Sequence, residues 1–432
     1  MSVRYLGSAL WRWLALSGLT LAVNLVSAQE KEFEVRSADV LHVMTVGKEQ
    51  IRALIGRVYM VHPEEKGQVK IWCDSAFQNL QTGVVQLYGN LKIVRDSTTM
   101  TSSRGTYYSN ERHAFMPTDV KLVRGKMTLT AKTGDYWSNE KRAHFLGNVH
   151  VVDSTSSTFS DDLTYFEDEE RSIAVGSVRV QSTENNLTVF GDSLLHFEKT
   201  KYTLVPRNPR LMQVDTVSAG VLDTLLIVGS TMEAYQDTLQ RFVTRGHVEM
   251  ARSDFAARCG EAIYFLKGDR IIMRRQPVVW HEENQVTGDS IVIRTSERRL
   301  QSVFVRGRAM AVSRADSVYA SRYDQMSARE ITMRFKNARL DEIEADRTAT
   351  SLYYLFDGLK PNGANRSSGD KIIMSFRVGK VDRIKIVGGV EGRYFPERLI
   401  SKHEAQYNLE GFRWISDRPM RKLLSIVHVS YE

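Results

Sequence analysis

Thr130-Ala-Lys-Thr-Gly134-Asp135-Tyr-Trp-Ser-Asn-Glu-Lys-Arg-Ala-His-Phe-Leu-Gly147-Asn-Val-His-Val151 is answered seven residues later by a second version of itself. That version reads Thr158-Phe-Ser-Asp-Asp162-Leu-Thr-Tyr-Phe-Glu-Asp-Glu-Glu-Arg-Ser-Ile-Ala-Val-Gly176-Ser-Val-Arg-Val180. Matching glycines fall at Gly56, Gly89, Gly147, Gly176, Gly246 and Gly307, at separations of 33, 58, 29, 70 and 61. These are single or double units of about thirty residues, the signature of a stacked-repeat architecture. Within a unit, apolar and polar residues alternate over two runs of about ten residues, the period of a half-buried strand. Thr, Val, Tyr and Phe dominate the runs, as strands prefer. Short polar turns such as Ser138-Asn-Glu-Lys-Arg142 join them into antiparallel hairpins.

The repeated glycines sit inside the runs rather than in the turns. A glycine there marks a bulge or a sharp bend. Stacked bends align into a crease, so the expected fold is all-β, with bent antiparallel strands forming an elongated V-shaped trough. The inward positions are expected at Val149, Val151, Leu163, Tyr165, Val178, Val180, Ile263, Phe265, Ile291, Ile293, Ile372 and Met374. Alternation fits an open apolar groove and a filled core equally well.

At the N-terminus, Arg4 and Arg12 precede an apolar stretch from Leu14 to Val26, and Val26-Ser27-Ala28 offers small residues before Gln29. This pattern predicts a cleaved signal peptide over residues 1–28 and hence export. Its removal takes away two arginines and lowers the net charge from +8 to +6. A basic exported protein suits anionic partners such as phosphorylated lipids, and equally a well-solvated surface. Acids and bases are interspersed, so nucleic acid is not an expected partner. The chain divides into repeats over 29–200, repeats with insertions over 201–395, and a cap or docking tail over 396–432. Within the second block, residues 340–368, with Leu359-Lys-Pro-Asn-Gly-Ala-Asn-Arg366, read as a surface loop.

Chemistry-bearing patterns are few. Cys73 and Cys259 lie some six units apart, roughly 60 Å in a linear stack of strands spaced about 4.8 Å, so two free thiols are expected. Asp135, Asp162, Asp192, Asp289 and Asp370 recur at what reads as one place in the unit. Stacked neighbours would be about 10 Å apart, near the limit for an inverting glycosidase pair. A bend-stabilising role beside glycine accounts for all of them together. Asp254 and Glu261 read as surface groups rather than metal ligands. Tyr107, Tyr136, Trp137, Tyr165, Tyr264 and Trp280 recur at repeat positions and read as wall packing, with a sugar-binding ladder as the rival. No zinc, nucleophile-elbow or phosphate-loop motif occurs, and no cofactor, metal or catalytic residue is expected.

Phe145-Leu-Gly-Asn-Val-His-Val151, Gly191-Asp-Ser-Leu-Leu-His196, Gly288-Asp-Ser-Ile-Val-Ile293 and Gly369-Asp-Lys-Ile-Ile-Met374 together resemble the OstA-like repeat of the LptA-type lipopolysaccharide-transport proteins. Arg275-Gln-Pro-Val-Val-Trp280, Tyr353-Tyr354 and Asn362-Gly-Ala-Asn365 are similar to the longer OstA-like proteins of the Bacteroidetes type. The resemblance spans about residues 35–395. It implies a β-jellyroll trough whose apolar interior holds the acyl chains of lipid A, which favours a groove over a filled core. It also implies a non-enzymatic carrier or bridge, with lipopolysaccharide and other trough proteins as partners through edge-strand pairing, and a possible head-to-tail homo-oligomer. The large barrel of the outer-membrane partner, LptD, has no counterpart before Glu432, so likeness to that protein's soluble N-terminal domain is expected, not to the insertase. The rival reading is an exported carbohydrate-active or adhesive β-repeat protein.

Overall fold

The computed structural model describes residues 33–63, 68–218, 221–296, 299–316, 318–337, 339–377 and 380–419. The expected signal peptide lies outside them. A single 30-stranded sheet, antiparallel at every pairing, carries the chain from Glu34 to Phe395. It runs without a break across residue 200, where the strand Leu187–Phe197 pairs with both Tyr202–Arg207 and Arg210–Ser218.

Each unit is a strand out and a strand back, and the two are bent by different means. The returning strand inserts an extra residue. Between Leu146 and Val149 the register against Ser156–Phe166 slips, and Gly147 and Asn148 both take positive φ, at 79° and 48°. The same kink recurs at Gly56–Arg57, Gly89–Asn90, Gly176–Ser177, Gly246–His247, Gly307–Arg308 and Gly388–Gly389. Four further kinks lack glycine and were invisible to a count of glycines: Asp119, Asn208, Arg275–Gln276 and Arg347–Thr348. These fill the double gaps in the sequence spacing and continue the series beyond Gly307. Asn and Asp tolerate the left-handed region better than most residues.

The outgoing strand supplies a polar side chain that occupies the space a Cβ would need. A Cβ on Gly176 would collide with the Asp161 carboxylate, and on Gly89, Gly307 or Gly388 with Asp74, Asp289 or Asp370. The residue after the kink then binds the same carboxylate. Arg57 donates to Asp39, Asn90 to Asp74 (2.9 Å), Asn208 to Asp192 (2.6 Å) and Arg308 to Asp289 (2.6 and 3.0 Å). The crease is thus a column of left-handed kinks, most of them facing a polar side chain of the outgoing strand that is commonly an aspartate. Asp192, Asp289 and Asp370 belong to it, as expected. Asp135 and Asp162 do not share that place: they meet His113 (2.7 Å) and His144 (3.0 Å) a few residues along the strand.

The crease divides the sheet into two walls. One, called here the first wall, includes residues 58–63, 68–73, 91–95, 98–102, 120–131 and 149–160. The second includes 40–55, 75–88, 105–116, 133–146 and 162–175. They face each other over one apolar interior, from Leu54 and Ile71 through Phe145 and Ile291 to Met374. On the outer side, near the hairpin turns, rings lie beneath arginines of the adjacent strand: Trp137 under Arg142 (3.8 Å), Phe166 under Arg171 (4.5 Å), Tyr235 under Arg241 (4.7 Å) and Phe265 under Arg270 (4.5 Å). Such contacts are worth about 0.5–1 kcal/mol each at exposed sites, and they occupy one face of each ring.

Residues 340–368 are not a surface loop. They form the long hairpin Arg339–Asp357 and Lys360–Arg377, turned at Gly358 with φ 62°. Pro361 sits one pair from that turn, where its missing N–H costs little. After Phe395 the chain does not extend the sheet. Residues 396–419 fold back along the outer face of the first wall, where Ile400 and Leu409 close a cluster with Met310, Val312, Leu352 and Tyr354. Polar anchors continue along the same path. Gln325 accepts from Leu409 N–H (2.8 Å), Gln285 donates to Arg413 O (2.7 Å), and Trp280 Nε1 donates to Ile415 O (3.1 Å).

Candidate functional site: the trough interior

The interior differs between the two halves of the stack. In the first half the walls enclose a cavity of about 840 Å³, reaching from Phe33 to Gln236. Ile71, Leu87, Leu129, Phe145, Leu163 and Leu194 form its floor. In the second half the same space is packed solid. Met250, Met273, Ile291, Ile293, Val305, Ile331 and Ile372 have no or almost no solvent exposure. The difference comes from side-chain bulk near the mouth. Phe255, Leu300 and Leu340 are buried there, His281 meets Phe335 edge-on at 4.7 Å, and Asp254 accepts from Leu300 N–H at 2.9 Å across the walls. At the first-half mouth the corresponding residues are polar: Arg95, Arg124, Asp153, Glu167, Glu170 and Glu198.

Of the residues expected to face inward, Val151, Leu163, Tyr165 and Val180 line the cavity. Val149 and Val178 are buried in the core beside the crease. Ile291, Ile293, Ile372 and Met374 do face inward, but into the packed half. Ile263 and Phe265 are a correction. The inward residues of that strand are Ala257 and Cys259 before the crease and Ala262 and Tyr264 after it. Passing Gly260–Glu261 changes which parity faces in, so a simple alternation carried through the crease selects the wrong side. Ile263 is left half-buried, and Phe265 is covered by Arg270 instead.

The recurring tyrosines have a role that sequence spacing concealed. They stand on the second wall and reach across the mouth to the first. Tyr107 packs with His62 (6.0 Å between centroids) and edge-on with Phe33 (5.0 Å). Tyr136 takes a hydrogen bond from Arg95, which also pairs with Glu167 at 3.5 Å. Tyr165 accepts from Arg124 at 3.3 Å. Deep in the packed half, Tyr264 donates to Gln213. The hydrogen bond to Tyr165, with Glu198 and Glu167 nearby, holds the Arg124 pKa above its ordinary value. Burial raises that of Tyr165. His196, at the same level of the mouth, is pushed down by burial against the pull of Glu198 and Asp153.

Cys73 and Cys259 are both free, buried thiols at equivalent inward positions just before the crease. Burial raises them to about 11 and about 12. Asp254 and Glu261 are not surface groups. Asp254 chelates Arg252 at 2.6 and 2.7 Å, and Glu261 gathers Arg245, Arg274 and Arg275. Among the described residues, no group of three His, Cys, Asp or Glu side chains is placed to hold a metal ion. No described helix is long and apolar enough to cross a membrane.

The bent-strand trough defines the class of the chain as a stacked-strand all-β fold, and two family models match parts of it. Residues 30–190 match the model of the OstA-like protein family. Residues 128–299 match that of the LptA/(LptD N-terminal domain) LPS transport protein family. More particularly, over these two stretches, each less than half of the chain, the sequence is similar to OstA-like proteins and to LptA and the N-terminal domain of LptD. Among solved structures it is similar to LptH, the LptA homologous periplasmic component of the lipopolysaccharide transport device from Pseudomonas aeruginosa. That similarity has 13% identity and a TM-score of 0.26, and covers 33% of this chain and 95% of that one. No curated protein matches the sequence.

Proposed function

We propose that this protein is a non-enzymatic periplasmic carrier. It holds the acyl chains of lipopolysaccharide in the first-half cavity and keeps the sugar and phosphate portion at the polar mouth. The observation that carries this reading is the cavity of about 840 Å³, floored by apolar side chains and edged by polar and charged groups. Each methylene moved from water into such a space gains about 0.8 kcal/mol, so a few chains suffice for firm binding. The packed second half serves as a rigid stem. Export through a cleaved signal peptide brings the chain to the periplasm, and partner troughs of the inner and outer membranes join it by pairing with its end strands.

The test is site-specific photocrosslinking in cells. A crosslinker at Val180 or Val151, in the cavity, is expected to capture lipopolysaccharide. One at Ile293, in the packed half, or at Arg179, on the outer face, is not. Absence of an adduct at both cavity sites, with the protein folded and exported, overturns the carrier reading.

A further inference from the structure

The first-half mouth carries charges of both signs, with Asp96 and Asp153 beside the arginines of the first wall and Arg112 beside the acids of the second, and oppositely charged groups meet across it. The first-wall lip presents Arg95 and Arg124. The second-wall lip presents Tyr136, Tyr165, Glu167 and Glu198. Three contacts tie them: Arg95 to Tyr136, Arg95 to Glu167 at 3.5 Å, and Arg124 to Tyr165 at 3.3 Å. The spacing is regular. Arg95 and Arg124 are one unit apart, as are Tyr136 and Tyr165, so each tie joins a residue to one 41 positions further on. Arg124 and Glu198 are exposed, whereas Arg95 and Glu167 are only partly so, with 30% of the Arg95 side chain and 35% of that of Glu167 reaching solvent. The attraction between Arg95 and Glu167 is therefore less screened than that of a fully exposed pair.

We propose that this seam is a charge-zippered side gate, opened by the anionic headgroup of an entering amphiphile. The proposal rests on the carrier reading above. A phosphate or carboxylate attached to acyl chains approaches the mouth from the side. It takes Arg95 and Arg124 away from their phenol and carboxylate partners, because an arginine–phosphate pair is charge-assisted and bidentate. The headgroup, seated on the first wall, then lies against Glu167 and Glu198 on the second. Like charges at that range repel, and the lips part. The chains follow into the cavity below. A neutral amphiphile has no means of displacing the ties and must wait for them to open.

Binding of three probes to the purified full chain tests this: dodecyl phosphate and dodecanol as monomers, and inorganic phosphate. Dodecyl phosphate is expected to bind at least tenfold more tightly than dodecanol. In Arg95→Gln/Arg124→Gln the two amphiphiles bind alike. Glu167→Gln/Glu198→Gln, which keeps both arginines but weakens the zip, is expected to take up dodecanol severalfold faster than the wild type. Inorganic phosphate at millimolar concentration neither binds measurably nor competes. Equal binding of the two amphiphiles by the wild type overturns the gate and leaves the carrier reading standing. So does inorganic phosphate that binds as well as dodecyl phosphate, since the site is then one for the free anion. Failure of both amphiphiles to bind overturns the groove itself. Should the arginine variant not fold, the dodecanol uptake rate of the glutamate variant decides, and an unchanged rate overturns the gate.

Discussion

Glycine and aspartate are coupled at the crease, and the coupling is measurable. Gly176 combines a φ of 79° with a position where a Cβ would lie within 2.9 Å of Asp161 Cβ. Gly176→Ala is expected to cost about 1–3 kcal/mol from left-handed backbone strain and the clash together. Asp161→Ala removes the closest part of the clash, the carboxylate oxygen at 2.4 Å, but keeps the Cβ contact and the strain. In a urea-denaturation double-mutant cycle, the double variant should be more stable than the sum of the single effects predicts. Strict additivity would show that the carboxylate does not fill the glycine's space. A second residue-scale prediction concerns Asp324. Burial pushes its pKa up to about 7, against the hydrogen bond it accepts from Tyr354 N–H at 2.9 Å. The folded state therefore holds this proton where the unfolded chain, at the ordinary value of 3.8, has already lost it. Stability contributed by the protonated form is complete below about pH 4 and declines as pH rises toward 7. Asp324→Asn keeps an acceptor without the charge. It should stabilise the protein by a few kcal/mol at pH 8, on the order set by about 1.4 kcal/mol per pKa unit, and by little at pH 4. Equal gains at both pH values in chemical denaturation would contradict this.

Among the elements, the tail and the first edge strand make separate claims. Arg322, with a side chain only 2% exposed, is held by Glu397 (2.6 Å) and Glu404 (3.3 Å) of the returning tail. Replacing both partners, in Glu397→Gln/Glu404→Gln, leaves a buried guanidinium without its counter-charge. The expected loss is about 3–5 kcal/mol, read as a lower melting temperature together with binding of a hydrophobic dye to the uncovered Met310, Val312 and Leu352 face. At the other end, the strand Val40–Val46 pairs, among the described residues, only with Glu49–Pro63. Every residue in it is exposed, including Leu41 at 55% and Val43 at 59%. An apolar strand with an open edge is a template for strand addition. If the head-to-tail homo-oligomer that the family resemblance implies forms through this edge, Met44→Pro combined with Val43→Lys abolishes its concentration dependence in sedimentation, while leaving the melting temperature within a few degrees of the wild type. Self-association that survives both changes places the contact elsewhere.

Seen whole, the molecule is one sheet used in two ways. The crease runs along the described strands, and the cavity of about 840 Å³ lies in the first half. The packed half buries Met, Ile and Val side chains against one another at every level, and its mouth is closed by Phe255, Leu300, Phe335 and Leu340. Stability and binding are thereby separated along the stack. Opening the first half need not disturb the second, since neighbouring units couple mainly to one another. Where the second half opens, if the sealing side chains are cut back, is also testable. Phe255→Ala/Leu340→Ala is expected to cost several kcal/mol, as large-to-small changes in a packed core do, and to create dodecanol binding at Ile293 by photocrosslinking. No new adduct in the folded variant would mean that the walls collapse to fill the space.

Much of this was legible in the chain itself. The period, the antiparallel strands, the mid-strand bends, the free cysteines and the structural use of Asp192, Asp289 and Asp370 all follow from spacing and from what glycine and β-branched residues can do locally. Local rules fail where a decision depends on a second strand. Asp119, Asn208, Arg275 and Arg347 bend the chain without glycine because the paired strand forces the register slip. Ile263 and Phe265 were misplaced because the crease reverses facing on the outgoing strand. The tyrosines looked like packing until the folded walls brought Tyr136 to Arg95 and Tyr165 to Arg124. Sequence alone determined a creased trough, because strand period and backbone freedom are properties of neighbouring residues. Only the tertiary structure decided which half is hollow and how its mouth is held, because filling and closure depend on side chains from opposite walls meeting in space.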